Sequence, residues 1–212
     1  MINLLSSAYF APIQYYSKMI SAEKVVLEKF ENYQKQTYRN RCVIYSANGP
    51  QTLTVPISKG DQPKVYTKDI RIDYSMSWQK IHFKAIESAY RCSPFYQYYI
   101  DDFMPFFHKK YLFLYDFNLE IIYKTCQVIK CQVSISETTG YVSVLPEGYH
   151  DFRGIIHPKQ RMFKPDTAFL PPVYTQVFGA KSGFIGNMSV LDLIFNTGTD
   201  AFSHLQGSVI YH

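Results

Sequence analysis

Ile2-Asn3-Leu4-Leu5-Ser6-Ser7-Ala8 is a short apolar run ending in small residues, and it reads as a buried first strand. Tyr9-Phe10-Ala11-Pro12 then turns the chain, and Pro12 suits the start of a helix, where its missing N–H is harmless. Ile13, Tyr16, Met19 and Ile20 recur at helical spacing across residues 13–21. Lys24-Val25-Val26-Leu27-Glu28 is a second strand. Strand, helix and strand within about thirty residues is the length of a βαβ unit, so these residues predict an α/β core. In such a unit the helix start faces a potential anion site.

Immediately after this unit comes Glu31-Asn32-Tyr33-Gln34-Lys35-Gln36-Thr37-Tyr38-Arg39-Asn40-Arg41, which holds no aliphatic side chain. Charged and amide groups cost free energy to desolvate, so packing alone does not account for them between buried segments. The stretch is expected to be a strand with its flanking loop. Its carboxylate, three cations, amides and phenols suit an anionic, hydroxyl-rich ligand. Cys42 to Ser46 and residues 51–57 flank Ala47-Asn48-Gly49-Pro50, and Asn-Gly between β-type runs predicts a hairpin inserted after the βαβ unit.

Farther on, residues 58–67, with Gly60 and Pro63, read as a mobile loop, and residues 70–73 as a strand. Residues 75–90 form the clearest helix, with Trp78, Ile81, His82, Ala85, Ile86 and Ala89 on one face. Ser93 and Pro94 are expected to cap and start a second helix that Pro105 ends, and Asp116 and Asn118 to cap a third over residues 119–129. Residues 132–135 alternate as a strand. From 136 to 172 Gly and Pro punctuate a loop-rich stretch carrying Arg153, Lys159, Arg161 and Lys164. Residues 174–178 look strand-like, and Ser189 caps a helix that Gly198 closes. The expected layout is one domain over 1–212, with an α/β core over about 1–135 and a loop-rich C-terminal part over about 136–212.

Composition narrows the function classes. Apolar residues make up 47% of the 212, enough for a substantial core, and 19 Tyr and 16 Phe favour stacking and hydroxyl-lined clefts. The net charge of +5 is dispersed rather than striped, which makes nucleic acid an unfavoured partner and leaves RNA binding as the weakest alternative. Cys42, Cys92, Cys126 and Cys131 contain no CxxC pair, so free buried thiols are expected and zinc is not. No Walker pattern occurs and no cofactor is expected. The N-terminus lacks a secretory signal and no run of 18 apolar residues exists, so a cytoplasmic protein without a membrane span is expected. Oligomeric state is left open.

Several blocks together resemble the WbqC-like proteins of bacterial surface-polysaccharide gene clusters. They are Ser7-Ala8-Tyr9-Phe10-Ala11-Pro12-Ile13, residues 31–42, Trp78-Gln79-Lys80-Ile81-His82, Ala85-Ile86-Glu87-Ser88-Ala89-Tyr90, Ser93-Pro94-Phe95, Asp101-Asp102-Phe103, Asp116-Phe117-Asn118, Tyr174-Thr175-Gln176-Val177-Phe178, Gly183-Phe184 and residues 189–198. Many members carry Gln-Pro-Tyr-Phe where this chain has Ser7-Ala8-Tyr9-Phe10, and the Bacteroidetes-type branch is the more similar. The resemblance implies a cytoplasmic role in making a modified surface sugar of the O-antigen kind, including transfer of glycine to a sugar amine or hydroxyl. The opening unit is also similar to nucleotidylyltransferase-like Rossmann folds, but residues 12–16 lack their His-x-Gly-His motif, which argues against adenylyl transfer.

The candidate residues follow from chemistry. Arg39 and Arg41 can each fork onto a phosphate or carboxylate, with Lys35 beside them. Asn32, Gln34 and Asn40 can hold hydroxyls or amides, while Tyr33, Tyr38 and Trp78 offer ring faces. Glu31 is either a general base or the ion-pair partner of Lys35 or Arg39. His82 is either a proton carrier or a hydrogen-bonded core residue, and His157 is a weaker alternative. The substrate expected from this set is a nucleotide-sugar or another anionic small molecule. A transferase, a non-catalytic module of a biosynthetic complex and an RNA binder are the competing functions.

Overall fold

In the computed structural model, residues 1–58, 64–159 and 165–210 are described. The expected loop positions Gly60 and Pro63, and the loop cations Arg161 and Lys164, lie outside them. The βαβ unit forms as read, with β1 (Ile2–Ser6), α1 (Ile13–Ile20) and β2 (Lys24–Glu28). β1 and β2 pair in parallel, with Ser6 opposite Glu28. Both strands are covered on both faces, which is why they read as continuous apolar runs instead of alternating ones. Leu5, Leu27 and Ile13 are fully buried, each contributing about 1.5–3 kcal/mol by leaving water. Asn3 sits within β1 and donates its Nδ2 to the Lys18 carbonyl at 2.7 Å, tying the strand to α1.

Two further strands complete a four-stranded parallel sheet. β7 (Ser134–Glu137) lies beside β2, and β8 (Tyr149–Asp151) lies beside β1. The order β7-β2-β1-β8 places the fourth strand on the far side of the first. β8 falls inside the stretch expected to be loop, because three residues, Tyr-His-Asp, are too few to show a hydrophobic period. The sheet therefore runs past the expected core limit near 135.

The hairpin comprises β3 (Arg41–Ser46) and β4 (Gly49–Thr54), and Gly49 holds φ +96°, where a side chain would be strained. Ile57, expected at the end of the second hairpin strand, belongs to β5 (Ile57–Ser58), which pairs with β6 (Arg71–Ile72). α2 (Trp78–Tyr90), α3 (Tyr96–Phe103) and α4 (Leu114–Val128) follow. Pro105 ends α3 in a short 3₁₀ turn. α5 (Gly179–Ser182), α6 (Val190–Thr197) and α7 (Ala201–Gly207) close the chain. Ser189 caps α6 through its side chain and Gly198 ends it at φ +56°, as read.

Several expectations need correction. Ile81 is exposed, so the buried face of α2 is narrower. Ser93 caps nothing: α3 starts at Tyr96 with no side-chain cap, and the Ser93 hydroxyl is buried without a partner. α4 begins five residues early, because burial of Leu114, Tyr115 and Phe117 outweighs capping by Asp116 or Asn118. No strand forms over 174–178. Cys92 is exposed, unlike buried Cys42 and Cys126. The 31–41 stretch is a loop, not a strand. Its only ladder contact before Arg41, among the described residues, is an isolated bridge from Asn32 to Tyr66.

The start of α1 is also closed to anions. The Ile13 N–H donates to the Met188 carbonyl at 3.0 Å and the Gln14 N–H to Asn187 Oδ1 at 2.9 Å. The segment leading into α6 thus takes the donors that a Rossmann phosphate site would use.

Candidate functional site

In an open parallel sheet, ligands bind outside the carboxyl ends of the strands, where the strand order reverses. Here that point lies between β1 and β8, and the residues ending the strands there are polar. Ser6 ends β1, Glu28 ends β2 and Asp151 ends β8. The loop after β2 crosses this edge. It is pinned at its start by Thr67 N–H to the Glu31 carbonyl (2.9 Å) and Tyr33 N–H to the Val65 carbonyl (2.9 Å). At its end Tyr9 N–H bonds the Tyr38 carbonyl, and Asn118 Nδ2, from within α4, bonds the Arg39 carbonyl at 2.7 Å. Asn118 is thereby a brace for the loop rather than a helix cap.

Glu31 and Arg39 meet in this loop. Arg39 donates Nε to Glu31 Oε1 at 2.7 Å and Nη2 to Glu31 Oε2 at 2.5 Å. Ser6 closes the triangle, accepting from Arg39 Nη2 (2.8 Å) and donating to Glu31 Oε2 (3.1 Å). Of the two partners left open for Glu31, the structure selects Arg39. Both side chains are buried. Desolvating two charges costs several kcal/mol each, which only bidentate geometry with further hydrogen bonds offsets.

A second ionic cluster faces the first. Arg153 donates Nε and Nη2 to the two Asp151 oxygens at 2.9 and 2.6 Å, and Nη1 to Glu28 Oε2 at 3.2 Å. Fully buried Glu28 also accepts from Thr138 Oγ1 and the Phe30 and Val142 N–H groups. Burial pushes the Asp151 carboxyl up, but the Arg153 hydrogen bonds and charge outweigh it and hold it below the usual range. The Arg153 guanidinium lies over the Tyr141 ring, 5.3 Å from its centre. Between the clusters is an open cleft of about 370 Å³, lined by Glu31, Asn32, Gln34, Arg39, Tyr141, Asp151, Arg153 and Gly154.

The remaining candidates of the loop point elsewhere. Tyr33, Lys35, Asn40 and Arg41 line a separate cleft of about 460 Å³ with residues 54–57. Across residues 32–35 the lining alternates, with Asn32 and Gln34 on the first cleft and Tyr33 and Lys35 on the second. Burial pushes the Tyr33 phenol up to about 12, against the pull of the Arg39 and Arg41 charges. Tyr38, also raised to about 12 by burial, lines a small crevice over Ser6 and Arg39.

Neither helix candidate reaches these clefts. His82 is buried, with Nδ1 at 2.9 Å from the Tyr9 hydroxyl, and lies edge-on to Trp78. Burial lowers its pKa from 6.5 to about 4, while a hydrogen bond to the Thr54 backbone pulls the other way. Tyr9, Trp78 and the Thr54 backbone are the groups that surround it. Trp78 packs on Tyr74 and Phe117. His157 lies nearer the site: burial lowers its pKa first, followed by the charges of Arg39, Lys159 and Arg41.

Sequence reading missed Ser6, Glu28 and Asp151 as site residues, and saw Arg153 only as a loop cation. The available signal was a polar side chain ending each of the first two predicted strands, Ser6 and Glu28; Asp151 carried none, because its strand was not predicted. Among the described residues no cluster of three or more His, Cys, Asp or Glu is placed to hold a metal ion, and no helix is long and apolar enough to cross a membrane.

The fold and cleft define an α/β protein with a Rossmann-like parallel sheet and a polar site at its strand reversal. The chain belongs to the WbqC-like protein family, whose family model matches residues 7–147. The match takes in the whole 31–41 loop and Tyr141 but ends before Asp151 and Arg153. Comparison with curated proteins and with solved structures found no match.

Proposed function

We propose that the cleft at the strand reversal binds a sugar, and that the protein is a cytoplasmic enzyme of surface-polysaccharide biosynthesis. It transfers an acyl or aminoacyl group, glycyl in the sense the family resemblance implies, to a nucleotide-linked sugar. The observation that carries the reading is charge balance. Each cation of the cleft already holds a carboxylate, so the lining offers paired acceptors and donors instead of net charge. Such pairs, with the Asn32 and Gln34 amides and an exposed Tyr141 ring, suit the hydroxyls and apolar face of a neutral sugar ring.

In this reading Asn32 and Gln34 hold hydroxyls and Tyr141 supports the ring. Glu31, oriented by Arg39 and Ser6, takes the proton from the sugar amine or hydroxyl as it attacks the carbonyl of an activated acyl donor; the new C–N or C–O bond replaces the bond to the donor's leaving group, which departs with that electron pair and receives the proton. Arg39 is a positioning residue and not a phosphate ligand, since its Nε and Nη2 are committed. In this reading His82 transfers no proton to or from the substrate.

Titration calorimetry with a panel of nucleotide-sugars tests this. Binding is expected, and Asn32→Ala with Gln34→Ala weakens it about tenfold or more at unchanged melting temperature, as lost hydrogen bonds of about 1 kcal/mol each require. No binding by any member, or binding indifferent to both changes, overturns the reading. The same charge balance favours one other reading, a non-catalytic sugar-binding module. A Glu31→Gln variant that keeps both sugar binding and full transfer activity selects against Glu31 as base, and absence of transfer in the wild type selects the module.

A further inference from the structure

The cleft on the other side of the loop has the opposite electrostatics. Its lining includes Lys35 and Arg41 but no carboxylate. Neither cation forms an ion pair with any described residue. Two polar atoms of the lining residues are also buried without hydrogen-bond partners: Arg41 Nε, a donor, and Asn40 Oδ1, an acceptor. Asn40 is only 5% exposed, and its Nδ2 is spent on the Val55 carbonyl at 2.9 Å, which fixes the amide against the cleft wall. Arg41 Nε is a donor of the kind an oxyanion satisfies, whereas Asn40 Oδ1 is an acceptor and calls for a donor on the ligand or a water. Gln36, at the rim, holds left-handed backbone at φ 61°, uncommon for a residue with a side chain and typical of ligand-holding loops. The facing wall is apolar, formed by half-buried Pro56 and Ile57 over fully buried Val55.

We propose that this cleft, between the 33–41 loop and the 54–57 segment, is a second ligand site that takes a small organic oxyanion with an apolar body. The oxyanion meets Arg41 and Lys35, and the apolar part lies on the Val55–Ile57 wall. The guanidinium supplies forked donors and Lys35 a flexible one, so a carboxylate and a phosphate monoester share the required chemistry. The site stands without the sugar reading, since it uses none of Asn32, Gln34 or Tyr141. It gives the protein a place for an anionic co-ligand across the loop from the neutral cleft.

A ¹H–¹⁵N correlation titration of the full chain with isovalerate, isobutyl phosphate and neutral isobutanol tests the proposal. Saturable shifts are expected in the amides of residues 33–41 and 54–57 with one or both anions, and none that saturate with isobutanol. Saturation by isovalerate alone identifies a carboxylate ligand, and by isobutyl phosphate alone a phosphate ester. Arg41→Gln and Lys35→Gln each weaken binding by roughly tenfold, the loss of one charge-assisted contact. Lys35 is exposed, so its variant keeps the test valid if Arg41→Gln perturbs the hairpin. The proposal is overturned if neither anion saturates, if isobutanol binds equally well, or if Lys35→Gln leaves affinity unchanged. Sugar binding is read separately at Asn32 and Gln34, so either reading can fail alone.

Discussion

Two clefts flank one loop, and they differ in how their charges are settled. On the sheet side, Arg39 and Arg153 are locked onto Glu31, Asp151 and Glu28, and no side-chain atom of the lining is buried without a partner. On the hairpin side, Lys35 and Arg41 pair with no acid among the described residues, where Arg41 Nε and Asn40 Oδ1 are also without hydrogen-bond partners. The same sequence, rich in cations and amides, therefore makes a preorganised surface of paired charges on one side and a positive one, unpaired among the described residues, on the other. Cation density in a sequence does not locate anion binding. Whether each cation has already found a carboxylate does.

The largest expected effect separates the clefts by stability. Arg39→Ala leaves Glu31 buried and unpaired and should cost about 3–5 kcal/mol. Arg41→Gln removes a charge that pairs with no described residue and should stay within about 0.5 kcal/mol of the wild type. Urea unfolding of both variants measures the difference, and equal losses would contradict the assignment of paired and unpaired cations.

Acid should act on the hairpin side. His82 bonds the Thr54 backbone, and Thr54 lines the positive cleft. Its pKa is lowered from 6.5 to about 4 in the folded chain, so between those values the unfolded chain binds the extra proton. This contribution is complete above about pH 6.5 and is lost as pH falls toward 4, on the order of 3 kcal/mol at most. His82→Gln should flatten that part of the stability–pH curve, measured as unfolding free energy across the window. A slope identical to the wild type would mean that His82 is not held neutral.

Salt gives a smaller contrast. Oxyanion binding in the hairpin-side cleft should weaken roughly several-fold between low and physiological ionic strength, whereas binding of the sugar ring in the sheet-side cleft, tested with an uncharged sugar in place of the nucleotide-sugar, should barely move. Parallel titrations at two salt concentrations decide it. The smallest effect is Gln36→Gly, which relieves the left-handed backbone at φ 61° and should raise stability by about 0.5–1 kcal/mol, seen as a higher urea midpoint. No gain would show that the rim stores no strain.

Much of this molecule was legible from its residues, and the legible parts share a cause. β1, α1 and β2, the hairpin turn at Gly49, and α6 between Ser189 and Gly198 are all set by interactions within a few residues. Apolar period, cap chemistry and positive φ are written locally, so the Rossmann-like opening could be read in order. Residues 31–41 were identifiable as exceptional for the same reason, since their composition alone resists burial.

What tertiary structure decided lies at long range. β8 is three residues without a periodic signal, and it is a strand only because β1 offers it an edge. Glu28 and Arg153 are 125 residues apart in sequence yet share a hydrogen bond. The start of α1 looked open to an anion until Asn187 and Met188 took its N–H groups. His82 and Trp78 shared a helical face with the core, and burial rather than residue type fixed their place there. The sequence by itself determined that residues 31–41 were polar and special. Which side of the loop each side chain faced, and which cation met a carboxylate, depended on the reversal of strand order between β1 and β8, because pairing energies act on distances that only the assembled sheet sets.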